Sequence, residues 1–334
     1  MRIGIVNDMP LAIEVLRLVI SREHAHQVIW TATDGLEALQ KCEEQRPDVV
    51  LMDMLMPRMN GVEATRRIMA ECPCAILIVT SDIERNMNKV FEAMGHGALD
   101  VVNTPSLIDP QAVDATALLR KLHNIGWMIG QHGVKSAAVH TQAETTRKRE
   151  RIVAIGASAG GPASLVTLLR QLPADFSAGV VLVQHVDEVF AKSMAQWLAT
   201  ESKLPVRLAQ PDDQPRRGEI LLAGTNNHLC MQANGRLCYR KEPAEQIYRP
   251  SIDVFFDSLV RHWQGEAVGV LLTGMGRDGA QGLKNMRERG FLTIAQDQAT
   301  CAVYGMPKAA ASINAAVEIL PLDQIASKLI EHYG

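Results

Sequence analysis

The sequence predicts an α/β protein of two domains, each built on a doubly wound, mostly parallel sheet. Three observations carry that prediction. Short apolar runs of strand length alternate with amphipathic helical patterns. The alternation occurs twice, on either side of a stretch that lacks it. The chain's 334 residues also exceed what one hydrophobic core usually serves.

The first run occupies residues 1–122. Strands are expected at 3–6, 28–32, 48–52, 75–79 and 100–102, with helical patterns at 12–19, 36–44 and 62–70 between them. The second run begins at Arg151 and extends to 334. Its expected strands are 152–155, 180–183, 220–223, 268–272 and 292–295, and its helices 162–171, 190–200, 252–262 and 280–288. A helix can continue over 117–130, but the residues beyond it are small, polar and charged, so 123–150 is expected to be a linker. Its basic end, Arg147, Lys148, Arg149 and Arg151, reads as a solvated hinge rather than a docking patch.

Composition narrows the function classes. A net charge of -3 with 21% charged residues argues against a nucleic-acid or membrane-surface binder. No apolar run approaches the roughly 20 residues that span a bilayer, and the first residues enter a strand without a signal-peptide layout. No membrane insertion and a cytoplasmic location are expected. The six cysteines are scattered and lack a repeated metal-binding spacing, which fits reduced thiols.

Ligands of a parallel sheet gather beyond the carboxyl ends of its strands. In the first run those ends carry Asn7-Asp8, Asp53, Thr80-Ser81 and Asn103-Thr104-Pro105. Asp8 and Asp53 would repel, a cost that a hard divalent cation such as Mg2+ relieves. Asp53 can also act as a nucleophile toward a phosphoryl group, with Thr80 bonding a phosphoryl oxygen. Either acid alone would read as a helix or turn starter.

In the second run, Gly156-Ala157-Ser158-Ala159-Gly160 follows a strand and fits G-x-S-x-G, a turn that lifts a serine hydroxyl above the sheet edge. The helix after it offers free N–H groups for a developing oxyanion. His185 follows the next apolar strand, and Asp278 lies in a glycine-rich turn after another. Serine, base and orienting acid thus meet at three strand ends. Each alone has a plainer reading: Ser158 as an N-cap, His185 as a structural hydrogen-bonder, Asp278 as a cap for the helix at 280–288. His228 is the competing base and is expected at the pocket rim. Ser251 reads as a helix cap, and Arg249 as a contact for an acidic substrate.

These motifs resemble two known families. Asn7-Asp8, Leu51-Met52-Asp53, Met56-Pro57, Gly61, Thr80 and Thr104-Pro105 resemble the receiver domain of response regulators. That implies a flavodoxin-like (βα)5 fold, a histidine kinase of the CheA type as phosphate donor, and Mg2+ held with the help of Asp8. Two departures stand out: the family usually has a second acid at position 7 and a lysine at position 104. Gly-Ala-Ser-Ala-Gly-Gly, Gln-His, Arg-Pro-Ser-Ile-Asp and Thr-Gly-Met-Gly-Arg-Asp-Gly-Ala resemble the CheB family of chemotaxis methylesterases.

The second resemblance implies hydrolysis of glutamate γ-methyl esters on a methylated chemoreceptor, with deamidation of receptor glutamine as a second activity, and no cofactor for the esterase. It implies Ser158 as nucleophile, His185 as base, Asp278 as orienting acid, and backbone amides near Ala159 and Met275 as the oxyanion hole. It further implies an unphosphorylated receiver that limits access to Ser158. The wording around Asn7 and Thr104 is similar to the WspF-type surface-sensing branch. The alternative from another class is a non-enzymatic, phospho-dependent adaptor that retains the hydrolase fold.

Overall fold

A computed structural model describes residues 1–81, 83–105, 115–130, 150–246 and 248–333. They form two compact units, one within residues 1–133 and one within 134–334. Residues 131–149 of the expected linker, with Arg147, Lys148 and Arg149, lie outside the described residues.

In the first unit, β1 (Arg2–Val6), β2 (Gln27–Ala32), β3 (Val49–Met52), β4 (Ala75–Thr80) and β5 (Asp100–Asn103) pair in the order β2-β1-β3-β4-β5, all parallel. Every residue of β3 and β4 is buried. A strand covered by helices on both faces shows such a continuous apolar run rather than an alternation. The helices are α1 (Pro10–Ser21), α2 (Gly35–Glu44), α3 (Gly61–Glu71), α4 (Ile83–Gly95) and α5 (Thr116–Gly130), the last running past the expected domain boundary at 122. Side chains start two of them. Asp34 accepts from the Leu36 and Glu37 N–H groups at the head of α2, and Asn60 accepts from Glu63 N–H at the head of α3. Strand order reverses between β1 and β3, so the crevice lies beyond Val6 and Met52.

The second unit has a seven-stranded parallel sheet, β14-β13-β12-β6-β7-β9-β8. Its strands are β6 (Arg151–Ala157), β7 (Gly179–Gln184), β8 (Val206–Leu208), β9 (Ile220–Leu222), β12 (Glu266–Leu271), β13 (Leu292–Gln296) and β14 (Glu318–Leu320). A separate antiparallel hairpin joins β10 (His228–Met231) to β11 (Leu237–Arg240). The helices are α6 (Gly161–Leu169), α7 (Glu188–Glu201), α8 (Ile252–His262), α9 (Ala280–Glu288), α10 (Met306–Ser312) and α11 (Leu322–Tyr333). The chain enters this sheet at its middle strand, β6, builds outward through β7, then returns to build the other half from β12. The reversal between β6 and β12 opens the crevice at their carboxyl ends.

Phe255 and Phe256 of α8 are fully buried with Leu271, Leu283 and Met286 in the core below that crevice. Burying each ring contributes about 2–3 kcal/mol. Arg151 is not part of a solvated basic hinge: it donates to Ser177 Oγ at 3.1 Å and to Tyr333 O at 2.9 Å, tying the last helix to the start of the middle strand. Among the described residues no helix is long and apolar enough to cross a membrane.

Candidate functional site

Three backbone hydrogen bonds carry the central ladder one step past its strands. Leu272 N–H donates to Gly156 O at 2.9 Å, Ser158 N–H to Thr273 O at 3.1 Å, and His185 N–H to Ala157 O at 3.0 Å. Ser158 therefore stands between the chain leaving β12 and the chain leaving β7, at the crevice. The reversal after it falls on Gly160, at φ 74°, and the serine itself stays out of the left-handed region. Gln184 is buried under the turn and donates to Ser158 O at 2.9 Å, while Thr273 Oγ1 donates to Ala159 O at 3.0 Å. Position 274 has room only for glycine, since a Cβ there would lie 2.7 Å from Ser158 Cβ. The Gly274–Gly276 turn is thus pressed against the serine. Among the described residues, the N–H groups of Ala159 and Met275 donate to no backbone carbonyl.

His185 Nε2 meets Asp278 Oδ2 at 2.8 Å; Asp278 is buried and the His185 side chain is 9% exposed. The imidazole lies flat on the Tyr248 ring, with centroids 4.2 Å apart and planes within 3°. Its Nδ1 is buried and has no hydrogen-bond partner among the described residues. Asp278 accepts three further hydrogen bonds: Ile252 N–H at 2.7 Å, Ser251 Oγ at 2.8 Å and Asp253 N–H at 3.1 Å. Ser251 is the N-cap of α8 and the other two donors open that helix, so the carboxylate faces the positive end of a helix dipole. Burial by itself would raise the Asp278 pKa. The His185 hydrogen bond and charge, then the Ile252 and Asp253 N–H groups, outweigh it and hold the carboxyl below its ordinary value. An ionised Asp278 keeps the proton on Nε2 and leaves Nδ1 as the basic nitrogen. A hydroxyl, an imidazole with a free lone pair and a carboxylate at one sheet edge are the equipment of acyl transfer.

At the crevice of the first unit, Asp53 N–H donates to Val6 O at 3.0 Å, and Asp53 Oδ1 accepts from Met54 N–H at 2.7 Å. Burial, with the Asp8 charge adding to it against the Met54 and Leu55 N–H groups, pushes the Asp53 pKa up to about 6. Asp8 and Asp53 are thus close enough to repel. Two carboxylates form an all-oxygen donor set that suits a hard cation retaining several waters. Asn7 Oδ1 accepts from Met9 N–H at 2.8 Å, and Thr80 Oγ1 accepts from Asn86 Nδ2 at 3.4 Å. Thr104 N–H donates to Thr80 O at 3.0 Å, joining the two threonines at adjacent strand ends. The buried Lys121 pairs with Asp100 at 2.5 Å, at the start of β5 and so at the opposite end of the sheet. It does not replace a lysine at position 104.

A model of the CheB methylesterase family matches residues 153–329, more than half of the chain. The chain belongs to the CheB methylesterase family. A model of the response regulator receiver domain matches residues 3–112. A relative from Pseudomonas aeruginosa, named protein-glutamate methylesterase/protein-glutamine glutaminase 3, is 65% identical over 332 residues, 99% of each chain. Another from Cupriavidus metallidurans, named protein-glutamate methylesterase/protein-glutamine glutaminase 2, is 59% identical over 335 residues, 100% of this chain and 99% of the relative. The crystal structure of the Thermotoga maritima CheB methylesterase catalytic domain is 36% identical with a TM-score of 0.53, over 55% of this chain and 98% of that one.

One expectation for this CheB-family chain needs correction. His228 is not at a pocket rim. It is 0% exposed, its Nδ1 accepts from Ser251 N–H at 3.1 Å, and its Nε2 lies 3.1 Å from Pro243 O. Burial lowers its pKa and favours the neutral ring. The plainer reading of Asp278 as a cap for the helix that follows it does not hold, because Gly279 fills that position; Asp278 instead accepts the first N–H groups of α8. Arg249 donates to Ala244 O, a contact within its own loop. Sequence reasoning missed Tyr248 altogether and gave Ser251 only its capping role. The available signal was the Arg-Pro-Ser-Ile-Asp motif, which contains Ser251 and directly follows Tyr248.

Proposed function

We propose that this chain is a receiver-regulated protein-glutamate methylesterase and glutaminase, with a receiver in residues 1–122 and a catalytic domain in residues 151–334. It hydrolyses glutamate γ-methyl esters of a chemoreceptor and deamidates receptor glutamine by the same chemistry. The observation that carries this reading is His185, paired to Asp278 through Nε2 and left with a buried Nδ1 that has no partner among the described residues, beside the turn of Ser158. Ser158 Oγ attacks the ester carbonyl while His185 Nδ1 takes its proton. The oxyanion that forms is met by the Ala159 and Met275 N–H groups. Collapse breaks the C–O bond, and His185 returns the proton so that methanol leaves. Water, deprotonated by His185, then attacks the glutamyl ester of Ser158 and releases glutamate and the serine. With glutamine the leaving group is ammonia.

In the receiver, Asp53 accepts phosphate from a histidine kinase of the CheA type, and Thr80 Oγ1 bonds a phosphoryl oxygen. Asp8 and Asp53 would hold Mg2+, which when bound neutralises the charge gathered there. Asn7 and Thr104 support placement in the WspF-type branch. The protein works in the cytoplasm, on the inner portions of its receptor.

The test is methanol release from methyl-labelled receptor in the presence of kinase and ATP. Wild type is expected to release methanol, and Ser158→Ala to lose that release by at least 10³-fold. Undiminished release by Ser158→Ala, or none by a wild type phosphorylated on Asp53, would overturn the reading and favour a phospho-dependent adaptor.

A further inference from the structure

We infer that Ser251 is a positioning residue for the hydrolytic reaction, fixing the plane of the Asp278 carboxylate through its hydroxyl; this rests on the functional reading above. Asp278 divides its partners between its two oxygens. Oδ2 takes His185 Nε2 at 2.8 Å and Ile252 N–H at 2.7 Å. Oδ1 takes the Ser251 hydroxyl at 2.8 Å and Asp253 N–H at 3.1 Å. Pinning Oδ1 fixes the rotation of the carboxyl about its Cβ–Cγ bond, and with it the direction Oδ2 presents to His185. The main-chain donors are set by α8 itself. The Ser251 hydroxyl is free to rotate and is drawn to the carboxylate, leaving the longer Val254 N–H contact at 3.3 Å as its capping bond.

Ser251 is itself held in place. Its N–H donates to His228 Nδ1, which puts the His228 proton on Nε2, facing Pro243 O. Ser251 and His228 are 0% exposed and Asp278 is 6% exposed, so a lost hydroxyl is not replaced by bulk water. Three residues before Ser251, Tyr248 lies on the His185 ring. One short segment therefore governs both members of the pair that activates Ser158, the acid through Ser251 and the base through Tyr248.

Ser251→Ala and Ser251→Gly separate positioning from capping. Both remove the hydroxyl, but glycine is a tolerated N-cap and alanine is not. The full chain, wild type and both variants, is assayed for methanol release from methyl-labelled receptor across pH, with thermal midpoints recorded and Ser158→Ala as the inactive control. The expected result is a kcat lowered about tenfold or more in both variants, with KM within twofold of wild type. A carboxylate short of one donor attracts the imidazolium more strongly, so the acid limb of kcat/KM moves to higher pH in both. A kcat within twofold of wild type in both variants overturns the inference. So does a loss confined to Ser251→Ala that tracks its melting temperature, which would leave Ser251 as a cap alone. If wild type releases no methanol, the methylesterase reading falls first and this inference with it, an outcome distinct from an active wild type with unaffected Ser251 variants.

Discussion

Asp53, the proposed phosphate acceptor, illustrates how a residue can be unfavourable for the fold it serves. Its carboxyl titrates near pH 6 in the folded protein, chiefly because burial disfavours the charge, with Asp8 adding to the effect. The sign follows from linkage. Between the unfolded value and about 6 the native state binds the extra proton, so ionisation destabilises the fold as pH rises through that window. The penalty is absent at low pH and complete above about 7. Asp53→Asn should therefore stabilise the receiver transition by about 3 kcal/mol at pH 7.5 in magnesium-free buffer, and by only about 1 kcal/mol at pH 4.5. Calorimetry of the full chain at both pH values checks this; an equal gain at both would mean that charge is not the cause. Legibility at this scale depended on position. Asp8, Asp53, Ser158 and His185 stand just past strand ends, so placing the strands placed them. Ser251 and Tyr248 belong to a loop whose partners are 27 and 63 residues away in the chain. Nothing local in the sequence announces a bond across that distance.

At the scale of elements, α8 and α9 cap each other. Asp278, which precedes α9, accepts the first N–H groups of α8, while Asp253, in the first turn of α8, accepts Gly282 N–H of α9 at 2.7 Å. Two helix N-termini thus share a pair of carboxylates. Burial first, then the neighbouring Asp278 charge, pushes the Asp253 pKa well above its ordinary value. Asp253→Asn keeps the acceptor and removes the repulsion, and should raise the urea midpoint at pH 8. Asp253→Ala strands the Gly282 N–H and should lower stability by about 1–3 kcal/mol. A similar loss in both variants would show that Asp253 acts through its charge rather than as an acceptor. The helices of this pair were readable at 252–262 and 280–288 because each carries an apolar stripe, but their mutual capping was not. The parallel strands were readable because both faces are buried, which leaves apolar runs. The three-residue strands β8 and β14 are too short to show a period. The β10–β11 hairpin carried a turn signal, Asn234-Gly235 with the glycine at φ 75°, between two four-residue strands. Placing His228 at a pocket rim took no account of that hairpin, whose first strand, His228–Met231, is buried throughout.

Across the whole molecule the question is how phosphate on Asp53, the proposed acceptor, would reach Ser158. Restraint of the catalytic unit by the unphosphorylated receiver makes a quantitative demand. A shift from 10% to 90% active requires about 2.6 kcal/mol of differential stability, at 1.36 kcal/mol per factor of ten. A phosphoryl group that gains a hydroxyl from Thr80 and main-chain donors is of the right size to supply it. Where the receiver family usually places a lysine to pair with that group, this chain has none. Position 104 is threonine, and the buried Lys121 is held by Asp100 at the far end of the sheet. Removing the receiver does not need that cation, whereas full coupling of phosphorylation to output does. Residues 150–334 alone, whose counterpart in Thermotoga maritima has been crystallised as an isolated domain, should therefore exceed the unphosphorylated full chain in methanol release, and phosphorylation of the full chain should recover only part of the difference. Thr104→Lys should close the gap, because an ammonium can pair with the phosphoryl oxygens where a hydroxyl cannot. Initial rates on the same labelled receptor, with the phosphorylated fraction measured in parallel, decide the matter. A fragment no faster than the unphosphorylated chain rules out restraint by the receiver. Full activation of the wild-type chain, equal to that of Thr104→Lys, means the missing cation does not limit the coupling.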